Sequence, residues 1–291
     1  MRAPCIRPAC PYGEGVQPRW IALIASGVAL VLGLFFWGTT GIVVWSINQA
    51  QNTTAGLTQH DAPPPDTDDD FAIAEVYEVA ADGTLSPEPT PDAAAVWAEI
   101  ERVFTPRVAA TRISQFKVGD DASSDTMAWV SREDVPEYWT FAANLAYAGD
   151  DESWLATLVH EYAHVLSLGP ESVDSFAETC DTMWTGQGCL LPETALSAFS
   201  DRFWSAYADA PAADNDDADV ADEFYAAHED DFVDAYAATN VTEDFAESFM
   251  TYVMEDEPAG GGVVSDKLRF FREYPPYMLV RERLRAEFDL G

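Results

Sequence analysis

The stretch Val159-His160-Glu161-Tyr162-Ala163-His164-Val165 decides how the rest of the chain is read. Two histidines four positions apart share one face of an α-helix, so their imidazoles can converge on a single ion. Zinc sits about 2.0–2.1 Å from each imidazole nitrogen, and helical spacing allows that distance. Glu161, one residue on from His160, tilts toward the opening beside the metal, where a carboxylate can take a proton from water. Trp154, Leu158, Val159, Tyr162 and Val165 make the other faces apolar. The helix is therefore expected inside a folded domain, where its ionisable groups need partners.

Working outward, Asp150-Asp151-Glu152 places acids at the positive end of this helix, and Gly169-Pro170 closes it. Upstream, Thr90-Pro91-Asp92 is a helix start, with a capping hydroxyl and Pro at the first position. That helix is expected to run to about Phe104, with Val96, Ile100, Val103 and Phe104 on one face. Three β-like runs follow at 112–118, 126–131 and 138–143, separated by turn-forming residues. Downstream the pattern predicts helices at 192–208, 221–237, 242–256, 264–273 and 276–288. A helix and small sheet followed by further helices gives an α+β class.

A catalytic zinc needs a third protein ligand and an open fourth position. The chain has four histidines, and the other two, His60 and His228, stand in a linker and in an acidic run. A carboxylate is the better candidate. Thr242-Glu243-Asp244-Phe245-Ala246-Glu247-Ser248-Phe249 offers Glu243 and Glu247 four apart on one helix face, while Phe245, Phe249, Tyr252 and Val253 form another. One acid can bind the metal while the other orients a ligating histidine. Spacing alone leaves open which does which, and a solvated acidic helix is the competing reading.

His160-Glu161-x-x-His164 followed by a distant Glu-x-x-x-Glu helix resembles the gluzincin branch of the zinc metallopeptidases. The wording Glu243-Asp-Phe-Ala-Glu247-Ser-Phe is similar to that of the anthrax lethal-factor-type zincin domain. The resemblance covers roughly residues 110–256 and is strong at these two motifs. It implies a zincin-like fold and a zinc ion held by His160, His164 and Glu243, with Glu247 supporting a histidine. It also implies Glu161 as general base and a peptide or protein substrate. Tyr236 stands where such domains often carry a tyrosine that steadies the oxyanion. A strand before the metal helix usually lines the groove, and 138–142 is the candidate. The insert from Cys180 to Asp231 has no counterpart in the resemblance. A zinc-binding surface protein without activity, or an acidic membrane-tethered interaction domain, are the alternatives.

Formal charge is −36 over 291 residues, with Lys117 and Lys267 the only lysines, so no basic surface exists to displace counterions from nucleic acid. Such acidity can select cationic substrates or aid solubility in salty surroundings. With 48% apolar residues and nine Trp, the chain can build a sizeable core. Residues 20–47 carry no charge and are apolar nearly throughout, long enough to cross a hydrocarbon core of about 30 Å. They read as an uncleaved signal anchor. Arg2, Arg7 and Arg19 against Glu14 place the tail, residues 1–19, in the cytoplasm. A Pro- and Asp-rich linker follows at 48–70, and a folded extracytoplasmic domain at 71–291. Cys180 and Cys189 then lie where a disulfide can persist. In cell fractionation the full-length chain should follow the membranes, and protease added to intact cells should cut after residue 50. A soluble mature chain beginning after Ile47 would refute the anchor.

Overall fold

The computed structural model describes residues 71–149, 152–177 and 179–291. The tail, anchor and linker expected over 1–70 lie outside the described residues. Among the described residues, no helix is long and apolar enough to cross a membrane.

The class is α+β. Five strands, β1 (Ile73–Val79), β2 (Leu85–Ser86), β3 (Ile113–Gly119), β4 (Ala128–Arg132) and β5 (Trp139–Asn144), form one sheet in the order β2-β1-β3-β5-β4. The β3–β5 pair is parallel, and the other three pairings are antiparallel. β5 is buried along its whole length, as an interior strand should be, and β4 forms the edge. The 138–142 run is therefore no groove strand: a strand paired on both sides has no free edge to offer. The hairpin of β1 and β2 is absent from the sequence reading, although Ile73 and Tyr77 carry a periodic inward face.

Two helices, α1 (Pro91–Phe104) and α2 (Pro106–Arg112), lead from β2 into β3. Thr90 caps α1 through the Ala93 N–H, and Val96, Ile100, Val103 and Phe104 are buried as their spacing predicts. The metal-motif helix α3 (Glu152–Ser167) packs across β4 and against α1, with the Tyr162 and Phe104 rings tilted together at a centroid distance of 4.5 Å. A two-stranded sheet follows, β6 (Val173–Asp174) with β7 (Cys189–Leu190), closed by the Cys180–Cys189 disulfide. Gly188, at φ +148°, passes so close to Asp174 that any Cβ there would strike its carbonyl.

The predicted 192–208 helix is shorter: α4 (Ala195–Phe199) runs into a single π-turn over 200–204. The predicted 221–237 helix breaks. Observed are α5 (Ala218–His228) and two 3₁₀ turns at 229–231 and 236–238. Acids at the negative end of a helix oppose its dipole, and Glu229, Asp230 and Asp231 sit there. The remaining helices, α6 (Val241–Met254), α7 (Val263–Phe270) and α8 (Pro275–Glu287), lie within two or three residues of their predicted limits. Phe245 and Phe249 of α6 meet Phe271 and Tyr277 edge to face, and Phe245 meets Phe199 likewise.

One ion pair crosses this apolar cluster. Lys267 is fully buried, with Nζ 2.7 Å from Asp244 Oδ2, 2.7 Å from the Asp231 carbonyl and 3.9 Å above the Phe232 ring. Asp244 also accepts from Trp204 Nε1 at 2.7 Å and from Ser248. Asp244→Ala leaves the Lys267 ammonium buried without its counter-charge and should cost about 3–5 kcal/mol in urea unfolding. The double change Lys267→Met/Asp244→Leu should cost much less, because no charge is then stranded. Equal losses in the two variants would contradict this account.

Candidate metal centre

α3 and α6 pack side by side, and their facing side chains form the site. Asn240 caps α6, accepting the N–H groups of Thr242 and Glu243 at 2.8 and 3.0 Å. Glu243 is thereby fixed in the first helical turn, where the dipole favours a carboxylate. Its Oε2 lies 3.2 Å from His160 Nε2 and 3.1 Å from His164 Nε2, and the two Nε2 atoms stand 2.9 Å apart. Asp244, one position on, turns into the core to meet Lys267.

This triangle fits a metal ion. Tetrahedral ligands with bonds of about 2.0–2.1 Å stand about 3.3–3.4 Å apart, close to the edges observed. The three ligand atoms are electron-pair donors converging on one point, and all three residues are largely buried. A cation at that point would satisfy them together. Among the described residues, no other group of histidine, cysteine and acidic side chains has this convergence. His228 is not part of it; it sits against Asp209, Tyr207 and Phe224.

Glu247 Oε1 approaches His160 Nδ1 to 2.7 Å, near enough for an ionic contact though not aligned as a straight hydrogen bond. The outer nitrogen of a ligating histidine commonly faces such a carboxylate, which fixes the ring. Burial works against charge on His160, but contacts with Glu243 and Glu247 outweigh it and raise the imidazole well above its ordinary range. Burial would also raise Glu243; the adjacent His164 and His160 reverse this and hold the carboxyl well below the usual carboxylate range. Glu161 is raised, chiefly by burial, and its Oε2 accepts the Val130 N–H at 3.0 Å.

That last bond corrects the groove. The strand beside Glu161 is the edge strand β4, not 138–142. A cavity of about 350 Å³ opens between Met127 and Ala128 at the start of β4, His160 and Glu161 of α3, and Met250 of α6. Tyr236 lines it too. Its ring centroid lies 5.8 Å from that of His160; the residue as a whole is 55% exposed, while burial around its hydroxyl, with the charges of Glu243 and Glu161, raises that group's pKa. The break in the predicted 221–237 helix is what turns Tyr236 to the opening. Asp234 caps that turn through the Ala237 N–H at 2.8 Å; burial and the neighbouring Glu247 raise its carboxyl to about 6. Neither Asp234 nor Val130 carries a sequence signal, since an N–H on an edge strand and an acid in an acidic loop are both commonplace.

No family model, curated protein or solved structure matches the chain.

Glu243→Ala should remove most metal affinity. Glu247→Ala should keep the metal at saturation but bind it roughly 10–100-fold more weakly. Competition with a chromophoric chelator reads both, and the reverse order would overturn the assignment of Glu243 as ligand.

Proposed function

We propose that the chain is a zinc-dependent metallopeptidase with a zincin-like catalytic domain, anchored through residues 20–47 and acting outside the membrane. The observation that carries this reading is the convergence of His160, His164 and Glu243 on one point, with Glu161 at the same opening. Two imidazoles and one carboxylate suit zinc among the common metals, and three protein ligands leave a position for reaction. The metal would polarise a substrate carbonyl and make water acidic enough to react near neutral pH.

The chain's own groups supply the rest. Glu161 is placed to take the proton from the attacking water and hand it to the leaving amine. Tyr236, kept protonated by its surroundings, can donate a hydrogen bond to the developing oxyanion. Glu247 orients His160. β4 precedes the metal helix and lines the opening, as the zincin resemblance implies, and an edge strand has room for an extended peptide. A disulfide between Cys180 and Cys189 agrees with an oxidising compartment beyond the membrane.

Full-length protein purified without chelators should carry about one zinc per chain. Glu161→Gln should retain that zinc and lose peptide cleavage by about 10²-fold or more, since the amide keeps the shape without accepting a proton. Mass spectrometry of a diverse peptide mixture gives the second readout. Metal far below stoichiometry, or wild-type cleavage by Glu161→Gln, would defeat the reading; zinc without any cleavage by the wild type would favour an inactive zinc-binding protein.

A further inference from the structure

Tyr236 and Glu243 also line a second cavity, of about 370 Å³, on another side of the metal centre. One wall, from Asn215 to Asp222, comes from the insert that has no counterpart in the zincin resemblance. Asn215 donates through Nδ2 to the Thr239 carbonyl at 3.0 Å, and Asn240 donates through Nδ2 to the Asn215 carbonyl at 3.0 Å. The insert is thus laced to Asn240, the residue that caps the ligand-bearing helix.

The lining has two characters. Ala218, Ala221 and Ala235 are small and apolar, which leaves a passage for an aliphatic stem. Asp216 and Asp222 add carboxylates. Both residues are exposed, and neither carboxylate has a hydrogen-bond or ion-pair partner among the described residues. Neighbouring acids are engaged: Asp217 caps α5, Asp231 accepts from Tyr207, and Asp234 caps the Tyr236 turn. Internal counter-charge is also lacking. Between Arg132 and Lys267 the chain has no lysine and one arginine, Arg202, whose guanidinium is held by Glu273 at 2.6 and 2.9 Å.

We propose that this cavity takes one lysine or arginine side chain of the peptide substrate, close to the bond that is cut. Asp216 and Asp222 are its specificity-determining residues. The inference rests on the metallopeptidase reading, because the cavity shares Glu243 and Tyr236 with the metal centre. A long basic side chain lays its methylenes along small apolar surface and keeps its charged end at the carboxylates. Low-dielectric walls of a single sign also concentrate cations at the opening.

The test uses full-length, zinc-loaded protein and a peptide library varied one position at a time. Wild type should favour Lys or Arg at one position beside the cleaved bond, roughly three- to tenfold over Ala, the scale of one or two exposed ion pairs. The preference should shrink as salt rises from 0.05 to about 0.5 M. Asp216→Asn/Asp222→Asn should abolish it, and Asp216→Lys/Asp222→Lys should turn it toward Asp and Glu. Both sites are exposed, so zinc content should not change. No basic preference in the wild type, or one that survives the double Asn change, overturns the proposal. A binding arm separates it from the parent reading. Fluorescence anisotropy of Lys- and Ala-containing peptides on Glu161→Gln protein should show the same charge preference, lost with the two aspartates. That result supports the subsite even if no peptide is cleaved, and equal binding of both peptides counts against it.

Discussion

Two imidazole nitrogens and one carboxylate oxygen are held within 3.2 Å of one another in a largely buried place, a spacing that a shared proton or a metal ion could satisfy. Everything around the site serves to keep them there. Phe245 and Phe249 anchor the opposite side of α6 in an aromatic cluster with Phe271 and Tyr277, and Tyr162 anchors α3 on Phe104. Packing on both helices holds His160, His164 and Glu243 together, a pre-arrangement of the kind that a metal site requires.

A second constraint lies in the segment 229–238. Lys267 binds the Asp231 carbonyl and the Asp244 carboxylate together, so one ammonium ties the loop to the first turn of α6. Asp234 then caps the turn on which Tyr236 stands and, through its interaction with Glu247, reaches toward His160. The two lysines of this chain are thus used differently: Lys267 carries a buried structural load, while Lys117 sits over Trp129. In so acidic a protein, placing one cation at the junction of loop and helix is economical, because it offsets the burial of Asp244 where no water can.

The acidity of the chain is not spread evenly in its consequences. Most arginines are bound to carboxylates or helix-end carbonyls, as Arg285 is to Asp256 and the end of α6, and Arg283 is to the end of α1. The segment that builds the site has almost no basic residue of its own. Asp125, Glu161 and Glu247 line the opening, and no lysine or arginine does.

The α+β class, the metal helix and its pair of histidines were legible in the sequence because helical periodicity is local: His160 and His164 share a face whatever surrounds them. The same holds for Glu243 and Glu247, and for the buried face of α1. Periodicity says nothing about which strand lies at an edge, however, and the run 138–143, though rightly a strand, became interior once β3 and β4 paired on either side of it. Nor could it show that helical propensity would yield over 229–238, where Lys267 and the capping Asp234 favour short turns over a continuous helix. Composition showed that the chain is acidic; only the fold set Asp216 and Asp222 beside small alanines and Glu243. Spacing along a chain specifies which side chains point the same way, but distance between elements is decided by how their apolar faces pack.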